Sequence, residues 1–226
     1  MHKLRLPALA CTAFLLSGCV TMEQASSNIS CMLTRVTGTA NSACGPATST
    51  ASSPSGTAAS GTASNDRFSQ LQSVLDKETQ QARQAQAAAV QAMRDLPANL
   101  RATAGPVRML NVNIEDSQRS GTTRSMQALD SITVDLPLAA KGRTEYTRAM
   151  DILKDLANTL ANNRGAATIA VEQAPADVQA KRVNTAAGIT KSPQGNPVNV
   201  QKTTTPNLPT GLERYTIRAG EIRGKL

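Results

Sequence analysis

A heptad pattern of apolar residues predicts a long helix over residues 66–97, with Asp66 as its N-cap and Pro97 as its end. The a and d positions are, in order, Phe68, Leu71, Leu75, Glu78, Ala82, Ala85, Ala89, Ala92 and Leu96. Only Glu78 interrupts this alanine-rich seam. The pattern favours a coiled coil, with a second copy or with another protein, and the alternative is a single solvated helix.

After a short linker the periodicity changes, and residues 106–226 predict an α/β domain. Alternating apolar and polar residues predict strands around 110–114, 132–138, 167–173, 198–200 and 215–219. An amphipathic stripe from Thr144, stopped by Gly165, predicts a helix, and the alanine-rich stretch from Pro175 to Ile189 predicts a weaker one. The order β-α-β-α-β-β, with an extra strand in front, predicts a two-layer α/β sandwich.

The first 18 residues have the layout of a secretory signal, with two basic residues before an apolar stretch too short to span a bilayer. The run Leu15-Leu16-Ser17-Gly18-Cys19 that ends this segment resembles the lipobox of bacterial lipoproteins. The resemblance implies that residues 1–18 are removed and that Cys19 carries acyl chains, which hold a protein stably on a membrane when there are two or more. Val20 in the next position implies delivery to the outer membrane, facing the periplasm. The alternative is an ordinary secretory signal with an accidental cysteine.

Residues 19–65 predict a flexible tether. No charged residue occurs between Val36 and Asn65, and Ser, Thr, Ala, Gly and Pro predominate. Such a stretch buries too little apolar surface to offset the entropy of ordering it. Cys31 and Cys44 lie in this segment, where an oxidising periplasm permits a disulfide between them. A pair of free thiols is the alternative.

Composition argues against several classes of function. The only histidine, His2, lies in the signal, so the mature chain has neither a Ser-His or Cys-His pair nor a His-ligated zinc site. Few aromatic residues and no tryptophan argue against nucleic-acid binding by base stacking. Asp151 and Asp155 are one turn apart, but Arg148 and Lys154 flank them as on a solvated helix face. We therefore expect no enzyme, no cofactor and no metal.

Charge favours an anionic partner. Loss of the two basic residues of the signal lowers the formal net charge from +8 to +6. A basic periplasmic protein suits an anionic lipid surface or the acidic groups of a cell-wall polymer.

The element order of residues 130–222 resembles the OmpA-like peptidoglycan-associated domain, which runs strand, helix, strand, helix and two strands. The second helix of that family carries Leu-Ser-x-x-Arg-Ala, and here the run Val178-Gln179-Ala180-Lys181-Arg182-Val183 places Arg182 at the arginine. In the family this arginine and an aspartate after the second strand grip the carboxylate and amine of the diaminopimelate stem peptide. The resemblance therefore implies a peptidoglycan site at Arg182 and Asp177, while the alternative for Arg182 is a solvated helix charge.

The chain departs from the family after the second strand. The run Val171-Glu172-Gln173-Ala174-Pro175-Ala176-Asp177 stands where the family has Gly-x-Thr-Asp followed by Gly and Asn. Two functions fit these observations. One is a non-enzymatic structural lipoprotein that anchors or scaffolds the envelope through an OmpA-like domain in contact with peptidoglycan. The other is a subunit of an envelope-spanning secretion or conjugation complex, with the same domain used for protein docking.

Overall fold

A computed structural model describes residues 60–115 and 123–222, with side chains from Arg67 onwards. The signal, Cys19, Cys31 and Cys44 lie outside these residues, so the predictions made for them stay predictions. One mixed sheet with helices packed on it forms the described part of the chain, which confirms the predicted α/β sandwich. Among the described residues, no helix is both long and apolar enough to cross a membrane.

Within residues 60–115 and 123–222, nine main elements follow one another. They are α1 Ser60–Ala92, β1 Thr103–Glu115, β2 Thr123–Pro137, α2 Thr144–Arg164, β3 Ala167–Gln173, α3 Pro175–Gln179, β4 Gly188–Lys191, β5 Pro197–Thr204 and β6 Leu212–Ala219. Short 3-10 turns occupy Ala98–Leu100 and Leu138–Ala140. The strand order is β1-β2-β6-β3-β5-β4, with β3 and β5 parallel and the other neighbours antiparallel. The edge strands are therefore β1 and β4.

Helix α1 belongs to the core of the domain. Its C-terminal half packs with α2 and the inner face of the sheet in one large apolar cluster. Its N-terminal half covers a second cluster with Ile114 of β1 and Met126 of β2. The heptad seam is therefore occupied by this chain's own sheet and second helix, and the predictions of an external coiled-coil partner and of a solvated helix were both wrong. A heptad pattern predicts that one face of a helix is buried, but it does not predict which element packs against that face.

The boundaries of this helix also differ from the prediction. Helix α1 begins at Ser60, so Asp66 lies inside it, and it ends at Ala92, before Pro97. Helix α1 consequently shares one core with the domain that was predicted to begin at residue 106.

A bulge in β1 explains a buried glutamine of α1. In the β1–β2 register, Gly105 and Pro106 stand together opposite Thr133. Gln86 Nε2 donates to the carbonyl oxygens of Thr133 at 2.7 Å and Gly105 at 3.0 Å. A Cβ atom on Gly105 would lie 2.9 Å from that of Thr133, so the close approach requires glycine. The amide of Gln86 thus ties the helix to the irregular part of the sheet edge.

The predicted helix from Pro175 to Ile189 was wrong beyond its first turn. Helix α3 ends at Gln179, and Lys181 adopts a left-handed conformation with φ of 53°. The N–H of Arg182 then donates to the carbonyl of Asp177 at 2.9 Å, which closes the helix as a Schellman motif does. Residues 188–191 form β4, since the β-branched pair after Gly188 favours a strand. The observed order therefore contains one strand more than predicted.

Candidate functional site

One end of the sheet carries Asp177 and Arg182, the two residues for which the resemblance implies a peptidoglycan site. At this end β2 and β3 finish and β6 begins, so that Leu212 pairs with Pro137 and Glu213 with Gln173. Helix α3 follows β3 directly and places Asp177 and Arg182 there. We call this region the α3 end of the sheet.

The two residues expected to bind peptidoglycan contact each other. Arg182 Nη1 lies 3.4 Å from Asp177 Oδ1. The side chain of Asp177 is fully buried, whereas that of Arg182 is 61% exposed. The second carboxylate oxygen, Oδ2, accepts the N–H of Gly211 at 2.7 Å. Asp177 is thus occupied by its own chain, and only Arg182 is open to a ligand.

Backbone strain accompanies this placement of Arg182. Lys181 holds a positive φ, which costs a residue other than glycine about 1–2 kcal/mol. The left-handed residue turns the chain back over α3, and Arg182 reaches Asp177 as a result. Strain of this kind occurs preferentially at functional sites, so it supports a role for the segment.

A second buried carboxylate, which the sequence analysis missed, lies at the same end. Glu213 accepts hydrogen bonds of 2.8 Å from Lys141 Nζ, Gln173 Nε2 and the Tyr215 hydroxyl. Burial alone would raise the pKa of Glu213, but the bonds from Lys141, Gln173 and Tyr215 outweigh it, and the pKa lies below its ordinary value. Glu213 is therefore ionised. In the alternating pattern of β6, Glu213 lies on the same face as Tyr215 and Ile217. This position in the pattern could have predicted that Glu213 is buried.

The two tyrosines of the chain form the inner part of this cluster. The hydroxyl oxygens of Tyr146 and Tyr215 are 3.3 Å apart. Burial is the main cause that raises the pKa of Tyr146 to about 12. Burial, with the neighbouring Tyr146 and Glu213, also raises the pKa of Tyr215. Both phenols remain protonated at neutral pH, where Tyr215 serves as a donor to Glu213.

The segment that leads from α3 to β4 is tied to this cluster through its backbone. The carbonyl oxygen of Asn184 accepts from Gln173 Nε2 at 2.9 Å and from Lys202 Nζ at 2.7 Å. The exposed groups of the α3 end are cationic, with Arg182, Lys181 and Lys141 around two buried carboxylates. Such an arrangement offers positive charge and hydrogen-bond donors, the groups that an anionic ligand would require.

The other candidate groups lie away from this end. Asp151, on the exposed face of α2, pairs with Lys154 at 3.4 Å, and both side chains are more than half exposed. Within residues 60–115 and 123–222, no three His, Cys, Asp or Glu side chains are placed to hold a metal ion.

Comparison with known proteins found no match to a protein-family model, to a curated protein or to a solved structure. The OmpA-like resemblance therefore rests on the order of elements and on Arg182.

Proposed function

We propose that this chain is a non-enzymatic structural lipoprotein of the bacterial outer membrane, facing the periplasm, whose α/β domain contacts peptidoglycan through Arg182. The observation that carries the proposal is the exposed guanidinium of Arg182, held by the buried carboxylate of Asp177. Stem peptides of the cell wall present carboxylates, and a guanidinium binds a carboxylate through two parallel hydrogen bonds.

We infer different tasks for the two residues. Nη1 is the atom of Arg182 that contacts Asp177, which leaves further N–H groups of the guanidinium for a ligand. Asp177 orients the guanidinium and also fixes the loop at Gly211. In this proposal Arg182 touches the ligand and Asp177 is a positioning residue, which differs from the paired recognition that the resemblance implies.

The position of α1 supports an anchoring role. Phe68, in the first third of α1, packs beside Ile114 near the end of β1 and Met126 near the start of β2. The start of β2 lies at the opposite end of the sheet from Leu212 and Arg182, since Leu212 pairs with Pro137 at the end of β2. A lipid on Cys19 would therefore hold the domain by the end remote from Arg182. Helix α1, with 33 residues, is about 50 Å long at 1.5 Å per residue.

The order of elements also supports the proposal. From β2 onwards the chain runs strand, helix, strand, helix and then strands, which is the OmpA-like order with β4 inserted.

The test is retention on isolated peptidoglycan of the full chain in detergent. A fragment from residue 98 is unsuitable because it lacks α1 and hence part of the core. We expect Arg182→Ala to lower retention about tenfold or more, the loss typical of a hydrogen bond to a charged group. Arg148→Ala, which removes an equal charge from the exposed face of α2, is the matched control and should leave retention unchanged.

The second candidate function is a subunit of an envelope-spanning secretion or conjugation complex. The buried and internally satisfied state of Asp177 favours it, because this carboxylate is closed to a ligand amine. If neither native protein nor the Arg148→Ala control is retained on peptidoglycan, the peptidoglycan proposal fails. Co-purification of the native chain in a large detergent-resistant complex would then support the second function.

A further inference from the structure

The two edges of the sheet differ in how they are protected against pairing with another strand. β1 contains two register shifts and Pro106, features that hinder strand addition. β4 has neither a proline nor a register shift, and its four residues are all exposed. Among the described residues, no strand lies on its outer side.

An apolar side chain stands on this open edge. Ile189 of β4 is 71% exposed, while Leu110 on β1, the other exposed large hydrophobic residue, is 38% exposed. A solvated strand normally carries polar residues on its open face, so Ile189 offers an apolar side chain that an added strand could cover.

The end of β4 is also bonded to helix α2, which packs on the sheet. Ser192, directly after β4, is buried and donates through its hydroxyl to Asn162 Oδ1 of α2 at 2.6 Å. The same serine oxygen accepts the N–H of Asn196 at 3.1 Å. These bonds fix the turn between β4 and β5 on α2. A fixed edge loses little conformational entropy when it binds a partner.

The segment of chain that carries β4 and β5 has charges of one sign. Between Asp177 and Glu213 the sequence contains no acidic residue, but it contains Lys181, Arg182, Lys191 and Lys202. Both bounding acids are buried and are bonded within the chain. The region of β4 and β5 therefore offers positive charge alone, and complementarity requires a negatively charged partner.

We propose that β4 is a docking edge for an extended, acidic segment of another protein, which adds to the sheet as a further strand. The unpaired main-chain groups of an edge strand bind the N–H and C=O groups of a polypeptide, and Ile189 adds an apolar contact. Lys191 and its cationic neighbours select glutamate or aspartate in that segment. A second copy of this chain is disfavoured as the occupant because it would bring an equally basic edge.

The test uses the full chain in detergent and a short fluorescent peptide in which glutamate alternates with valine. One comparison peptide has lysine in place of glutamate, and another has a central proline. We expect fluorescence anisotropy to show binding of the acidic peptide only, with slower hydrogen exchange of the amides of residues 188–191. Ile189→Asp should weaken binding about tenfold or more. Lys191→Glu should weaken it in a salt-dependent manner.

The matched control is Leu110→Asp, which places the same charge on the other edge strand and should bind like the native chain. Far-ultraviolet circular dichroism checks that each variant is folded. The proposal is overturned if the acidic peptide does not bind, if the proline peptide binds equally well, or if Ile189→Asp binds unchanged. It is also overturned if the native chain self-associates through this edge, shown by a concentration-dependent dimer that Ile189→Asp abolishes. None of these results depends on retention by peptidoglycan, which is measured separately.

Discussion

Arg164, the last residue of α2, pairs with Glu78 in the middle of α1, and both side chains are almost completely buried. Arg164 Nε donates to Glu78 Oε2 at 3.2 Å, and Nη2 donates to Oε1. Nη1 of the same guanidinium donates to the carbonyl of Gly220, after β6, at 3.2 Å. The one charged residue of the heptad seam therefore has a specific partner, which joins both long helices and the end of the last strand.

Removing one member of this pair should destabilise the fold strongly. Glu78→Ala leaves the Arg164 guanidinium buried without its counter-charge, and we expect a loss of about 3–5 kcal/mol in the free energy of unfolding. Glu78→Leu combined with Arg164→Met should recover most of that loss, because no charge then remains buried. Urea denaturation of the single and double variants measures both values. Equal stability of Glu78→Ala and the native chain would contradict the expected contribution of the pair.

The bulge in β1 should depend on Gln86. Gln86→Leu removes the donor to the carbonyl oxygens of Gly105 and Thr133 and leaves them without that partner. The expected cost is about 1–3 kcal/mol, the penalty for an unsatisfied buried polar group. Gln84→Leu, on the exposed face of the same helix, should change stability by less than about 0.5 kcal/mol. Thermal unfolding followed by circular dichroism compares the two variants. An equal loss of stability in both would show that the hydrogen bonds of Gln86 to the bulge do not stabilise the fold.

Relief of the strain at Lys181 should stabilise the protein. Lys181→Gly allows the positive φ at no steric cost and should raise the free energy of unfolding by about 0.5–1 kcal/mol. Lys154→Gly, in the regular part of α2, should instead lower it by about 1 kcal/mol. Denaturant titration measures the change in the free energy of unfolding for both variants. A loss of stability in Lys181→Gly would show that the lysine side chain contributes more than its backbone conformation costs.

The tyrosine pair should resist ionisation. The pKa of Tyr146 is raised to about 12 and that of Tyr215 is raised as well. Groups with raised pKa values stabilise the fold below their unfolded pKa, near 10, and this contribution is lost as the pH rises through the folded values. The chain has only two tyrosines and no tryptophan. Absorbance at the phenolate band should therefore show no ionisation of the folded protein at about pH 10, where an unfolded chain is half ionised.

Tyr146→Phe leaves Tyr215 as the single reporter in this experiment. Tyr215 should still fail to ionise at that pH, because burial is the largest cause of its shift. Half-ionisation near pH 10 in the folded variant would contradict the buried placement.

Glu213 should make the fold sensitive to acid. Its pKa is lowered in the folded state, so its contribution is present above the unfolded pKa and is lost as the pH falls through the folded value. Glu213→Gln should therefore reduce the dependence of the unfolding free energy on pH in the acid range below about pH 5. Identical slopes for native protein and Glu213→Gln would exclude this role.

Periodicity by itself determined which faces are buried and most of the element order. Alternation located the strands with Val134, Ile169 and Ile217, and the stripe from Thr144 to Gly165 located α2 with its left-handed C-cap. These features are local, because side-chain direction repeats every two residues in a strand and every 3.6 in a helix. The short strand β4 escaped prediction because alanine and glycine before Ile189 leave little periodic pattern to detect.

Only the tertiary structure decided what each buried face contacts. The seam of α1 has the same pattern whether it packs on a sheet or on another helix. Its position in this core therefore depended on the strands and the second helix that follow it in the chain. Glu78 pairs with Arg164, Gln86 bonds to the β1 bulge, and Glu213 pairs with Lys141, and each partner lies far away in the sequence. Buried polar groups are satisfied by whichever partner folding brings near, and no periodic pattern within a segment encodes that partner.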